Sequence, residues 1–158
     1  MRLLKFASIL VLVAVACAPA FAQDNPAVGT WKLNLEKSKY NPGPAPKSLT
    51  RTVEAQGDQV KYIFEGVNAD GSGFAYSFTV RYDGKDYPVT GSMPGGADTI
   101  AIKRIDSNMF EATLKKAGKV VGTSKAEVSK DGKVTTITSE GTNEGGQPTN
   151  TVAVYDRQ

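Results

Sequence analysis

From Val28 onward, hydrophobic and polar side chains alternate along the chain. The pattern repeats in short runs, and a period of two over such lengths predicts half-buried β-strands. The clearest run is Gly73 to Tyr82, where Phe74, Tyr76, Phe78, Val80 and Tyr82 share one face opposite Ala75, Ser77, Thr79 and Arg81. Val28 to Leu35 places Trp31, Leu33 and Leu35 together, Ser48 to Ala55 places Leu49, Arg51, Val53 and Ala55 together, and Gln59 to Val67 aligns Val60, Tyr62 and Phe64. Further on, Asp98 to Ile105 aligns Ile100, Ile102 and Arg104, and Asn108 to Lys116 aligns Phe110, Ala112 and Leu114. Lys119 to Ser129 aligns Val120, Gly122, Ser124, Ala126 and Val128. Lys133 to Gly141 and Thr149 to Tyr155 complete the set. Lys85 to Thr90 is short and contains Pro88, which suits an edge or a bulge.

Turn chemistry separates these runs. Gly57-Asp58, Asp70-Gly71, Asp83-Gly84, Asp106 to Asn108, Ala117-Gly118, Asp131-Gly132 and Glu144-Gly145-Gly146 each fall between two strands. Aspartate bonds its own backbone and glycine accepts positive φ, so both favour tight hairpins. Ten strands joined mostly by hairpins form an antiparallel meander. A meander leaves two open edges unless its first strand closes on its last. The expected fold is therefore all-β: a single antiparallel up-and-down barrel of about eight to ten strands. A two-sheet sandwich is the alternative, but its Greek-key crossovers need longer connections. Two stretches break the rhythm. Glu36 to Lys47, with Pro42-Gly43-Pro44-Ala45-Pro46, is expected to be extended and polyproline-like. Gly91 to Ala97 is expected to be a Gly/Pro loop around an apolar Met93.

Residues 1–22 read differently. Arg2 and Lys5 precede an apolar run from Phe6 to Cys17, and Ala20-Phe21-Ala22 follows as an A-x-A cleavage pattern. The apolar run is well short of the ~20 residues of a spanning helix. A leader removed after Ala22 is expected, with residues 23–158 as the mature domain in a periplasmic or extracellular compartment and no stable membrane insertion. Ala14-Val15-Ala16-Cys17 offers an alternative in which Cys17 becomes a lipid-bearing first residue.

Charge changes little. The chain holds 19 basic and 16 acidic side chains, and loss of Arg2 and Lys5 brings them close to balance. The charges are interspersed, with no basic stripe for nucleic acid. There is no histidine, and the single cysteine is Cys17. A mature chain without either lacks thiol nucleophiles, Ser-His-Asp triads, His- or Cys-built zinc sites and a histidine haem ligand. No catalytic residue, metal site or cofactor is expected, and an enzyme would need a buried carboxylate with a raised pKa. Asn68-Ala69-Asp70-Gly71-Ser72 faintly resembles a calcium loop but lacks the distal glutamate, and reads as a turn.

The candidate site is therefore a lumen. Trp31, Tyr62, Phe64, Tyr76, Phe78 and Phe110 either fill the core or line a cavity for a small apolar or amphipathic ligand. Arg51 and Arg104 fall on apolar faces, where a guanidinium needs a partner such as a ligand carboxylate, unless it reaches solvent at a strand end. A filled barrel acting through its surface in the cell envelope is the second functional class. A small enzyme or a protein inhibitor is the third.

Gly29-Thr30-Trp31 resembles the G-x-W motif that opens lipocalins and other calycins. The resemblance implies structural roles for Gly29 and Trp31, with Trp31 packed at the closed end of a barrel and an arginine on or after the last strand lying across it. Arg157 stands in that place, so a Trp31–Arg157 cation–π contact is implied. The chain departs from lipocalins in lacking their T-D-Y motif, a C-terminal helix and cysteines. Its length is closer to fatty-acid-binding proteins and nitrobindin-like barrels, with the Pro-rich stretch where the former carry a helical lid. Gly29 to Leu35, Tyr82 to Gly91 and Ser129 to Gly132 are also similar to short exported bacterial proteins, which implies a bacterial periplasm or the surrounding medium.

Overall fold

A computed structural model describes residues 25–158. The expected leader and Cys17 lie outside the described residues. Eleven strands follow one another: β1 (Gly29–Leu33), β2 (Lys39–Asn41), β3 (Ser48–Gln56), β4 (Gln59–Val67), β5 (Gly73–Val80), β6 (Asp83–Gly91), β7 (Thr99–Arg104), β8 (Met109–Lys116), β9 (Lys119–Val128), β10 (Val134–Thr142) and β11 (Pro148–Arg157). From β3 to β11 each strand pairs antiparallel with the next, β1 pairs with β3, and β1 also pairs with β11. The sheet thus closes as a ten-stranded antiparallel barrel, with β2 as an added strand on β11. Closure answers the edge problem that a meander poses, and it excludes the sandwich.

Hairpin chemistry is visible at the turns. Asp70 accepts from the Ser72 amide at 2.8 Å, Asp83 from the Lys85 amide at 3.0 Å, Asp131 from the Lys133 amide at 3.1 Å and Asp106 from the Asn108 amide at 2.8 Å. These side chains mimic a backbone turn and fix where each strand reverses. Asp70 also accepts from the Ser72 hydroxyl at 2.6 Å, so Asn68 to Ser72 is a self-bonded turn. Ala117 and Gly118 both have positive φ, 49° and 77°, as a two-residue hairpin with a primed turn requires.

The structure differs from the sequence pattern at three places. First, Glu36 to Lys47 is not uniformly extended. Ser38 Oγ donates to Asn34 O at 2.7 Å and accepts from the Val154 amide at 2.9 Å, which replaces a missing rung of the ladder. The chain then returns as β2, whose Tyr40 faces Thr151. Second, β1 ends at Leu33, so Leu35 lies in the turn and is 44% exposed rather than sharing the face of Trp31. Third, β9 carries a bulge. Leu114 pairs with Gly122 but Lys115 pairs with Val120, so Val121 is an extra residue and Val120 turns outward, 60% exposed. One inserted residue reverses the side-chain alternation beyond it. The expected irregularity of β6 is present too. Its register against β7 shifts between Asp83 and Asp86, and its pairing with β5 ends at Val89, just before Pro88, which has no N–H to give.

The barrel has a closed floor. Trp31 is fully buried there, with Nε1 donating to Ala27 O at 2.9 Å. The Arg157 guanidinium lies over the indole, 4.1 Å from its centroid. It donates to Val28 O at 2.8 Å, to Pro26 O at 2.7 Å and to Gly132 O. A single planar cation thereby ties the first described residues, the β9–β10 connection and the last strand together. Gly29 sits against it with φ +138°, and a Cβ at that position would run into the Arg157 guanidinium. Val53, Val80, Val128 and Thr135 are buried as completely as Trp31.

Candidate functional site

Above this floor the lumen is not filled. It encloses a cavity of about 360 Å³, within the ordinary size range of small-molecule sites. Its walls differ. On β4 and β5, register sets Tyr62 against Phe78 and Phe64 against Tyr76. Their rings stack in those pairs, with centroids 5.0 Å and 4.6 Å apart. Across the lumen, Ser124, Ser139 and Thr151 stand side by side on β9, β10 and β11 and line the same cavity. Tyr40, Pro42, Met93 and Pro94 line the end opposite the floor. Met93 packs against the core, so the Gly/Pro loop turns its apolar residue inward.

Among the described residues, Arg51 is the one charged side chain that is buried. It is 3% exposed and lines the cavity just above Trp31. Strand pairing puts it there, because Arg51 faces Trp31 on one side and Phe64 on the other. Its guanidinium carbon lies 6.0 Å from the Trp31 ring centroid and 5.3 Å from that of Tyr62. Among the described residues, its Nε and Nη1 have no hydrogen-bond partner. Buried guanidinium N–H groups are ordinarily paired, and leaving them bare is costly.

Tyrosines surround the cation. Tyr62 and Tyr82 share a 2.6 Å hydroxyl–hydroxyl bond, and Asn25 Nδ2 donates to Tyr82 at 2.8 Å. Burial pushes the Tyr62 hydroxyl well above the usual tyrosine range, and Tyr82 adds to this while the Arg51 charge opposes it. Burial likewise raises Tyr76 and Tyr155, and raises Tyr40 to about 12. These groups stay neutral in the fold, whereas in the unfolded chain they ionise near pH ~10. Below that pH their contribution to stability is complete. As pH climbs towards the folded values, the unfolded state alone releases protons and stability falls. The unfolding free energy from urea titrations should be flat from pH 7 to 9 and drop between pH 10 and 12, by up to about 1.4 kcal/mol per pH unit for each buried tyrosine, with the midpoint falling in proportion. Tyrosinate absorbance read in parallel checks the cause: an unchanged midpoint with full ionisation would mean the rings titrate in place.

Of the residues singled out from sequence, Arg51, Tyr62, Phe64, Tyr76, Phe78 and Phe110 come together around the cavity. Two do not. Trp31 lies beneath, in the floor, and does not line the space. Arg104 is at the floor end of β7, where it donates to Asp106 O at 3.0 Å and Ser107 O at 2.8 Å and lies 5.6 Å from the Phe110 centroid. The strand-end position lets it bind a turn rather than enter the lumen. Sequence reasoning missed Tyr40, hidden in the Pro-rich stretch, and Tyr155, Ser139 and Thr151, which alternation on the last two strands could have placed.

The carboxylates among the residues that line the cavity, Glu111 and Glu140, are exposed. The carboxyls whose pKa values shift, Asp58, Asp70, Asp83 and Asp131, are all lowered, by hydrogen bonds from Arg81, Ser72, Lys85 and Ser129 respectively. A general acid needs the opposite shift. Among the described residues no group of acidic side chains is placed to hold a metal ion.

Comparison with known proteins adds a likeness of outline. No family model matches the chain, and no curated protein matches it. Among solved structures it is similar to the crystal structure of zebrafish ileal bile acid-binding protein complexed with cholic acid. The identity is 13% and the TM-score 0.48, with 84% of this chain and 99% of that chain covered.

Proposed function

We propose that this chain is an exported binding protein whose barrel holds a small amphipathic acid, with the acidic group on Arg51 and the apolar body against the aromatic wall. The observation that carries this reading is the Arg51 guanidinium, 3% exposed and facing a cavity with Nε and Nη1 unpartnered. A carboxylate is the natural complement of two such N–H groups, because the charge-assisted pair is short and strong. The stacked pairs Tyr62–Phe78 and Phe64–Tyr76 give the body of the ligand an apolar surface. Export rests on the leader pattern of residues 1–22, and the periplasm or the medium is the compartment it implies. The unfilled lumen favours binding over a filled barrel acting through its surface.

The only tryptophan, Trp31, lies beside Arg51 and reports on the site. Titration of the protein with stearate and with octadecanol, followed by Trp31 fluorescence and native mass spectrometry, tests the reading. Stearate should bind at least about 30-fold more tightly than the alcohol, the factor that a buried charge pair of ~2 kcal/mol or more supplies. Equal affinities would remove Arg51 from the site, and no binding of either would return the cavity to solvent.

A further inference from the structure

Arg51 accounts for one end of such a ligand, and the stacked rings of β4 and β5 account for one wall. The other wall is unexplained by an unadorned hydrocarbon acid. Ser139 pairs with Ser124 on one side and with Thr151 on the other, so three hydroxyl side chains form a continuous row across β9, β10 and β11. All three are half-buried and line the cavity. Tyr40, paired with Thr151 and also lining the cavity, extends the row onto β2. Hydroxyls that flank strands bond to the chain here, as those of Ser38 and Ser129 do. Among the described residues no protein hydrogen bond engages the hydroxyls of Ser124, Ser139 and Thr151.

From this row and the unpartnered Nε and Nη1 of Arg51 we infer that the preferred ligand is an oxygenated acid, carrying hydroxyl groups on one side of its body to meet Ser124, Ser139 and Thr151 while its other side lies on the rings of Phe64 and Tyr76. This rests on the acid-binding reading and narrows its ligand class. A row of hydroxyls facing a plain alkyl chain would exchange water for methylenes and leave buried polar groups unmatched. The same row facing ligand hydroxyls keeps a donor and an acceptor for each partner. Spacing sets where the ligand oxygens belong. Arg51 pairs with Trp31, which pairs in turn with Arg157, and Thr151 lies six residues before Arg157 on β11, away from the floor. The oxygens that meet the row are therefore well removed from the carboxylate, towards the middle of a long-chain acid.

Stearate, 12-hydroxystearate and 9,10-dihydroxystearate share one carboxylate and one chain length and differ in mid-chain hydroxyls. Titrated against the full protein by Trp31 fluorescence, the best hydroxylated acid should bind about five-fold or more tightly than stearate, as one or two net hydrogen bonds provide. The preference should shrink towards unity in the Ser124→Ala/Ser139→Ala/Thr151→Val variant, through weaker binding of the hydroxylated acids and equal or tighter binding of stearate, with far-UV circular dichroism showing that the variant is folded. Ser139→Ala alone, at the centre of the row, should give an intermediate ratio if the triple variant proves unstable. Stearate binding as well as or better than both hydroxylated acids overturns the hydroxyl-row inference and leaves acid binding standing. Failure of all three acids to bind, or binding that ignores Arg51→Met, overturns acid binding and this inference with it.

Discussion

Trp31→Ala lowers the unfolding free energy by about 3–5 kcal/mol, the range for truncating a fully buried tryptophan. The indole is 0% exposed and belongs to one buried cluster with Val53, Val80 and Val128. Its loss removes more than apolar area. Arg157 lies 4.1 Å above the ring and donates to three backbone carbonyls, those of Val28, Pro26 and Gly132. Without the indole, the cation loses a π-face worth up to ~2 kcal/mol when desolvated and rests over a void. Those same carbonyl bonds lie beside the β1–β11 seam, which has only three residue pairs. Damage at the floor therefore reaches the closure of the barrel. Trp31→Phe keeps a ring and forfeits the 2.9 Å bond to Ala27 O, and should cost roughly half as much. Guanidinium chloride unfolding followed by far-UV circular dichroism measures both, because fluorescence is lost with the tryptophan. A loss below about 1 kcal/mol for the alanine variant would show that the floor does not depend on this residue.

The barrel was legible because its devices are local. Alternation assigns faces within a strand, and Asp-Gly or Ala-Gly at the joins assigns hairpins, so a meander can be read one rung at a time. Closure followed from the cost of open edges and from the Gly29-Thr30-Trp31 start matched with Arg157 near the C-terminus. What alternation cannot show is an extra residue. The bulge at Val121 turned Val120 outward although the run from Lys119 to Ser129 alternates without a visible break. Proline hid β2 in a similar way, because Ser38 restores a ladder bond with its side chain, which no backbone pattern reveals. The site was half legible. Arg51 and Arg104 look alike in sequence, each on an apolar face. Only the position along the barrel separates them: Arg51 is in mid-strand, with neighbours on both sides, and Arg104 ends its strand beside a turn whose carbonyls it can reach. The hydroxyl row depends on the register of three strands at once, and no single run of sequence contains it.

Arg51→Met should bring opposite changes in stability and in binding. Methionine has a similar length and no charge, so it can occupy the same space against Trp31 and Tyr62. The wild-type guanidinium gains from those rings, 6.0 Å and 5.3 Å away, roughly 0.5–2 kcal/mol in all. Against that stands the desolvation of a cation with Nε and Nη1 unpaired, several kcal/mol even after relaxation. The balance favours the apolar side chain, and the ligand-free variant should be about 1–3 kcal/mol more stable. Acid binding moves the other way. Without its charge partner, a bound carboxylate is buried unpaired, and affinity for stearate should fall by about 30-fold or more, the equivalent of ~2–5 kcal/mol. Arg51→Lys separates charge from shape. An ammonium keeps the cation and loses the planar fork, so it should recover only part of the affinity. Urea unfolding without ligand and fluorescence titration with stearate, made on the same three proteins, decide the matter. Greater stability together with lost binding marks Arg51 as a group retained for its ligand at the expense of the fold. A large destabilisation with unchanged binding would instead make it a structural cation, stabilised by the aromatic rings that surround it.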